Sequence, residues 1–225
     1  MKKRNGTALL LAIALLTACA TTSPAPQPLT YDGSIYQAAV FRPENLRQLK
    51  PVVPDANGKV IVTTVKGPGT WNTGQLTLKG PVWISLVPEV KDKCHGYAGD
   101  LAMFLRQTLG LQPAQPVAQF VTMEVDATSL FRPTPDPRTD TVYPCLDPVA
   151  KTDCNVFPPN VDPAHKQWMA ETFLTLQIPN GYPWTHLGYT YNWGPGDRYG
   201  ASEYLVRGGS NVIVREVTPI ADYCR

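Results

Sequence analysis

Residues 59–87 read KVIVTTVKGPGTWNTGQLTLKGPVWISLV, and the way this stretch is cut into pieces decides the fold class. Lys59 to Val65 is β-branched almost throughout, the composition that suits a pleated and packed strand. Gly67-Pro68-Gly69 punctuates it. Trp71 to Leu78 and Val82 to Val87 read as two further strands parted by Lys79-Gly80-Pro81, so the stretch predicts an antiparallel meander.

Working toward the carboxyl terminus, Pro88 suits a first helical position, and Glu89 and Asp92 suit the positive end of a helix dipole. Tyr97, Leu101, Phe104, Leu105 and Thr108 then recur at helical spacing until Gly110, predicting one helix over 88–110. Gln119 to Val125 is a strand, and 132–163 is a long proline-rich connection. Pro163 to Leu176 is a second helix with Asp162 as its cap and Trp168, Met169, Thr172, Phe173 and Leu176 on one side. Thr185 to Trp193, Ser202 to Val206 and Asn211 to Val217 are strands, the last two joined as a hairpin at Gly208-Gly209. Strands outnumber helices without alternating with them, so the class is α+β: a mainly antiparallel sheet with two helices packed on it and a long proline-rich loop. Residues 31–57 carry Pro43, Pro51 and Pro54 and predict loops with one short helical turn, completing a single domain over 31–225.

The amino terminus has a different logic. Lys2, Lys3 and Arg4 precede an apolar stretch from Ala8 to Leu16, a layout of basic and then hydrophobic regions that belongs to export signals. The stretch is short against the ~20 apolar residues of a spanning helix. It ends in Leu16-Thr17-Ala18-Cys19, which resembles the lipobox of bacterial lipoproteins. The resemblance implies removal of residues 1–18 and lipidation of Cys19 by diacylglyceryl and acyl chains of the palmitate class. Several chains together hold a protein firmly on a bilayer, where one gives marginal binding. Ala20 after the cysteine implies an outer-membrane address, and an ordinary cleavable signal with a chance cysteine is the rival reading. Residues 19–30 then form a proline-rich tether, reaching about 30 Å at ~3.1 Å per residue in an extended polyproline conformation.

Loss of Lys2, Lys3 and Arg4 with the leader turns a net charge of +2 into −1, which argues against a nucleic-acid partner. Besides Cys19 the chain has Cys94, Cys145, Cys154 and Cys224, an even set that reads as two disulfides in an exported protein. Three pairings are open. The favoured one joins Cys145 to Cys154 within the proline-rich loop and Cys94, at a helix start, to Cys224. A metal site is the rival, but the chain has no C-x-x-C pair, and no metal or cofactor is assigned.

Chemistry is less legible. The densest aromatic region holds Trp184, Tyr189, Tyr191 and Trp193, followed by Gly194, Gly196 and Gly200. Such residues make a ligand groove when exposed, and a packed strand when buried. His186 lies among them and is the first choice for a general base, with Glu203 and Asp197 as carboxylate partners. No G-x-S-x-G or H-E-x-x-H motif supports a particular reaction. The phrases LFRP at 130–133, PWTHLGYTYNWG at 183–194 and GASEY at 200–204 are similar to ones in exported bacterial proteins of no known activity, and imply no reaction. The leading expectation is a non-enzymatic envelope lipoprotein binding a protein or cell-wall ligand. A hydrolase of glycan or peptide in the same compartment, the periplasm or cell surface, is the alternative.

Overall fold

The computed structural model describes residues 30–145 and 154–225. The leader, Cys19 and the tether before Thr30 lie outside the described residues, as do residues 146–153 of the proline-rich connection. The strands are β1 (Lys59–Lys66), β2 (Gly74–Thr77), β3 (Val82–Leu86), β4 (Gln119–Asp126), β5 (Leu130–Phe131), β6 (Tyr189–Tyr191), β7 (Tyr199–Ser202), β8 (Tyr204–Val206) and β9 (Asn211–Pro219). The helices are α1 (Tyr31–Ala39), α2 (Glu89–Cys94), α3 (Leu101–Thr108), α4 (Pro163–Leu176) and α5 (Ile220–Tyr223). Seven strands form one sheet in the order β2-β9-β4-β1-β3-β8-β5, and β6 and β7 form a separate ribbon. Every pairing is antiparallel, so the α+β class read from the sequence is the observed one.

The order of the strands departs from the expected meander. β1 pairs with β3 and β4, while β2 leaves for the far edge and pairs only with β9. Composition explains the exchange. Gly74–Thr77 is exposed along most of its length and has no apolar face to offer the centre. β4 offers Val121, Met123 and Val125, all buried, which register against Thr64, Val62 and Val60 of β1. The hairpin expected at Gly208-Gly209 is also absent, because β8 is wedged between β3 and β5 and β9 lies between β2 and β4. Gly209, at φ +81°, still makes a turn, but one that carries the chain across the sheet.

The helices show similar local logic. The single helix expected over 88–110 is two, since Gly96 adopts φ +71° and Asp100 then caps a new start by accepting from Met103 N at 2.9 Å. Cys94 therefore closes α2 and does not begin a helix. Gly110, at φ +66°, follows α3 as expected. α4 runs over the predicted span, and Asp162 caps it through Ala164 N at 2.9 Å. Its inner face is rotated toward His165 and Met169, leaving Phe173 42% exposed. Ahead of Pro43 the chain is more helical than expected: Thr30 accepts from Gly33 N at 3.0 Å and starts the nine residues of α1. In the 185–193 region only Tyr189–Tyr191 is strand.

Strand alternation gives the sheet two apolar faces. On the first, Val60, Val62, Val121, Met123, Ile84, Leu86, Tyr204 and Val206 form one cluster. The cluster runs from edge to edge of the sheet, from Leu78 beside strand β2 to Leu130 on strand β5. On the second face, Phe120 and Val65 pack with Val90 and Cys94 of α2, Leu105 of α3 and Tyr223 of α5. Phe120 and Tyr223 stack at 3.9 Å between ring centroids. The ribbon of β6 and β7 sits over this second face beside α3. Gly200 is required there, since a Cβ would run into the Thr108 carbonyl and the Thr190 hydroxyl.

Both favoured disulfides are formed, Cys94 to Cys224 across 130 residues and Cys145 to Cys154 across 9. On the chain-entropy view a crosslink stabilises by restricting the unfolded chain, more for a longer loop. Serine at both Cys94 and Cys224 is therefore expected to cost about 4 to 5 kcal/mol, against about 2.5 kcal/mol for the Cys145 and Cys154 pair. Urea unfolding of the two double variants measures this, and equal losses would contradict the ordering.

Candidate functional site

The second face of the sheet is not wholly filled. Between it and its cover lies a cavity of about 350 Å³. Thr63, Val65, Trp83, Ser85 and Phe120 make the floor, contributed by β1, β3 and β4. Tyr182, Pro183 and Trp184, in the segment following α4, form a wall, joined by Thr190 and Tyr191 of β6. Val90 of α2 and Leu109, Gly110 and Leu111 after α3 close it further. Its size lies at the lower end of pockets that enclose small organic ligands.

A polar row crosses this otherwise apolar floor. Thr122 of β4 registers with Thr63 of β1, and Thr63 with Ser85 of β3. The pairing of β3 with β8 sets Trp83 against Leu205 and Ile84 against Tyr204, so one step further Glu203 faces Ser85. Thr63, Ser85 and Glu203 all line the cavity. Burial pushes the Glu203 carboxyl up from 4.5 to about 8, with no compensating charge. The residue retains partial exposure because it opens onto the cavity. Among the described residues its carboxylate has no hydrogen-bond donor and no cation within ion-pairing distance, although its backbone N–H donates to Gly188 O at 2.9 Å.

Glu89 shows what a structural acid looks like in the same molecule. It too is buried, yet its Oε1 accepts from the Tyr199 hydroxyl at 2.7 Å and from Ser202 N and Oγ at 3.0 and 3.2 Å. That carboxylate ties α2 to β7. Arg132, with no exposed surface, donates to Thr141 Oγ1 at 2.7 Å, Thr141 O at 2.6 Å and the Tyr204 hydroxyl at 3.1 Å, leaving only Nε without a partner, so it pins the proline-rich segment to the sheet. Glu203 has no such role.

The sequence candidates divide accordingly. Of the four aromatics, Trp184 and Tyr191 line the cavity, but both are buried and not on an open groove. Tyr189 is buried against Leu46, Leu49 and the Cys145–Cys154 bond, its hydroxyl donating to Asn45 O at 2.9 Å, so it is core. Trp193 donates from Nε1 to Leu111 O at 2.9 Å and meets Tyr31 edge-on at 5.5 Å, which makes it a brace for α1. In place of the expected exposed aromatic groove there is a partly open cavity whose aromatic lining is buried, because the aromatic strand is folded down onto the sheet.

The proposed acid–base partners do not meet. Asp197 is on the surface, 3.6 Å from Arg47, and caps Tyr199 N. His186 is buried between Trp184 and Phe173 at φ +46°, with Nδ1 unpaired, and burial pushes its imidazole down to about 4. No hydrogen bond joins either residue to Glu203 among the described residues. Thr63, Ser85 and Trp83 are not singled out by the sequence, where KVIVTTV and VWISLV read only as strands. Among the described residues no group of three or more His, Cys, Asp or Glu converges as metal ligands. A second concavity, lined by Phe131, His165, Trp168 and Arg207, has its histidine already engaged with Thr134 O at 2.8 Å and Arg207 stacked 4.7 Å over Phe131.

The two titrations have opposite signs. The folded protein keeps the Glu203 proton that the unfolded chain releases, so this group lowers stability as pH rises from 4.5 to about 8. The folded protein refuses the His186 proton that the unfolded chain accepts, so stability is lost as pH falls from 6.5 toward about 4. Glu203→Gln is expected to gain on the native protein steadily between pH 5 and 8.5 in urea unfolding, and His186→Asn to gain on it below pH 6.5. Parallel pH profiles for native and variant proteins would show that neither group is buried as described. No protein-family model, curated protein or solved structure matches this chain.

Proposed function

We propose that the chain is an envelope lipoprotein, exported by residues 1–18 and anchored to the outer membrane through lipid on Cys19, whose body binds a ligand and does not hydrolyse one. The lipobox and leader support the anchor. No helix among the described residues is long and apolar enough to cross a membrane, so lipid is the means of attachment that this reading requires. The observation that carries the binding reading is the partly open cavity with aromatic walls, lined by polar groups without partners among the described residues: the Glu203 carboxyl, Thr63 Oγ1 and Trp184 Nε1. A hydrolase needs at least two polar groups meeting at the reacting bond, and of His186, Asp197 and Glu203 only Glu203 lines the cavity. The cavity suits a small molecule, or the terminal group of a larger protein or cell-wall ligand.

Replacement of Cys19 by Ser is expected to move the protein from the membrane to the soluble fraction, with retention in the membrane overturning the anchor. Nile red, a neutral dye, is expected to bind the native protein with blue-shifted emission and to lose that site when Ser85→Trp fills the floor. Dye binding unchanged by the filled cavity would count against this site as the ligand's place.

A further inference from the structure

Three features of the cavity point to one kind of ligand. The first is charge: Glu203 is a carboxyl group with no cation within ion-pairing distance among the described residues, in a lining that also holds the neutral hydroxyls of Thr63 and Ser85. The second is the wall: Trp83, Trp184, Tyr182 and Tyr191 present aromatic rings, whose faces carry the negative lobe of a quadrupole and attract cations. The third is size: a mixed polar and apolar volume of about 350 Å³ has room for an organic body. A metal cation is disfavoured by its need for several oxygen ligands, where the cavity has a single carboxylate.

We propose that the cavity binds a small organic amine, its ammonium group paired with the Glu203 carboxylate beside Ser85 and its apolar or aromatic body enclosed by Trp83, Trp184, Tyr182 and Tyr191. This rests on the reading of the body as a binding module and names its ligand class. Glu203 destabilises the empty protein, and the ammonium supplies the partner that the chain withholds.

Binding is coupled to a proton. In the empty protein below pH 8 the carboxyl is protonated, since burial holds it up to about 8. Pairing with an ammonium ionises it, and the carboxyl proton leaves to solvent, so one proton is released for each amine bound. Affinity then rises about tenfold per pH unit up to about pH 8 and levels off above it. The other titratable groups on the cavity walls are Lys66 of β1, Tyr182 after α4 and Tyr191 of β6. The two tyrosine hydroxyls donate to Gln115 Oε1 and Gln37 Oε1, each at 3.1 Å. Lys66 Nζ lies 5.7 Å from the Trp71 ring, and burial lowers its pKa. Lys66→Met therefore separates its contribution from that of Glu203.

The test is calorimetric titration of the intact lipoprotein in neutral detergent, with detergent alone as reference. Tryptamine, phenethylamine and hexylamine are compared with 3-ethylindole, which is neutral, and indole-3-propionate, which is anionic. At least one amine is expected to bind more tightly than both uncharged and anionic probes. Its affinity should rise between pH 6 and 8 in native and Lys66→Met proteins alike. Titration in two buffers of different ionisation enthalpy should show one proton released, a readout that needs no variant. Glu203→Gln should lose at least tenfold in amine affinity. Equal or tighter binding of 3-ethylindole or indole-3-propionate at pH 8, or amine binding without pH dependence, would overturn the amine and leave the cavity as a binding site. Failure of every probe, charged and neutral, at millimolar concentration would overturn the cavity reading itself.

Discussion

Both faces of one antiparallel sheet are apolar, and the need to cover the second face governs the rest of the molecule. The first face carries one apolar cluster that runs from edge to edge and takes in Val52 and Trp71 from outside the strands. The second has only short pieces available: six residues of α2, eight of α3, four of α5 and the three-stranded-residue stretch of β6. Helices this short have little stability of their own and are held by what they pack on. The Cys94–Cys224 bond locks α2 to the end of the chain beside α5, and Glu89 binds α2 to β7 through three donors. A cover made of small clamped pieces leaves a gap where they do not meet, and the cavity is that gap.

Buried charge in this protein separates into two kinds. Arg132 and Glu89 are surrounded by hydroxyls, carbonyls or N–H groups that replace the water they lost, and each joins parts of the chain distant in sequence. Glu89 keeps one oxygen, Oε2, without a partner, but its other oxygen is used three times. Glu203 keeps partial exposure, has no hydrogen-bond or ionic partner for its carboxyl among the described residues, and faces the cavity. An isolated buried carboxyl responds by holding its proton, which removes the charge at the expense of stability above neutral pH. The difference between these acids lies in their surroundings, not their burial, and it is why one is architecture and the other a candidate for recognition.

The sequence carries the class of the fold in the β-branched run of 59–65 and the buried-position alternation of 119–125, and it carries α4 with its Asp162 cap to the residue. Strand order is another matter. Which strand lies beside β1 depends on matching apolar faces across long separations, and the turn residues between 66 and 82 say only that the chain bends there. Gly96 and Asp100 together mark the break between α2 and α3, a signal overridden in the reading by the helical spacing of Tyr97 and Leu101. At the site, Glu203, Trp184 and Tyr191 are legible as types of residue, while Thr63 and Ser85 are not. Polar alternation on a strand has the same appearance whether its outer face meets water or a covered cavity.

The first helix of the described residues is part of the same construction. Tyr31, the first residue of α1, donates its hydroxyl to Gly181 O at 2.7 Å, and Asp32 accepts from Asn180 N at 3.3 Å. Residues 180 and 181 lead directly into Tyr182, Pro183 and Trp184, the wall of the cavity. Gln112 donates to Asn180 O at 2.5 Å and Trp193 braces Tyr31, so the first helix, the loop after α3 and the cavity wall are fastened at one corner. The covering of the second face, the seat of α1 and the wall of the cavity therefore share one set of contacts.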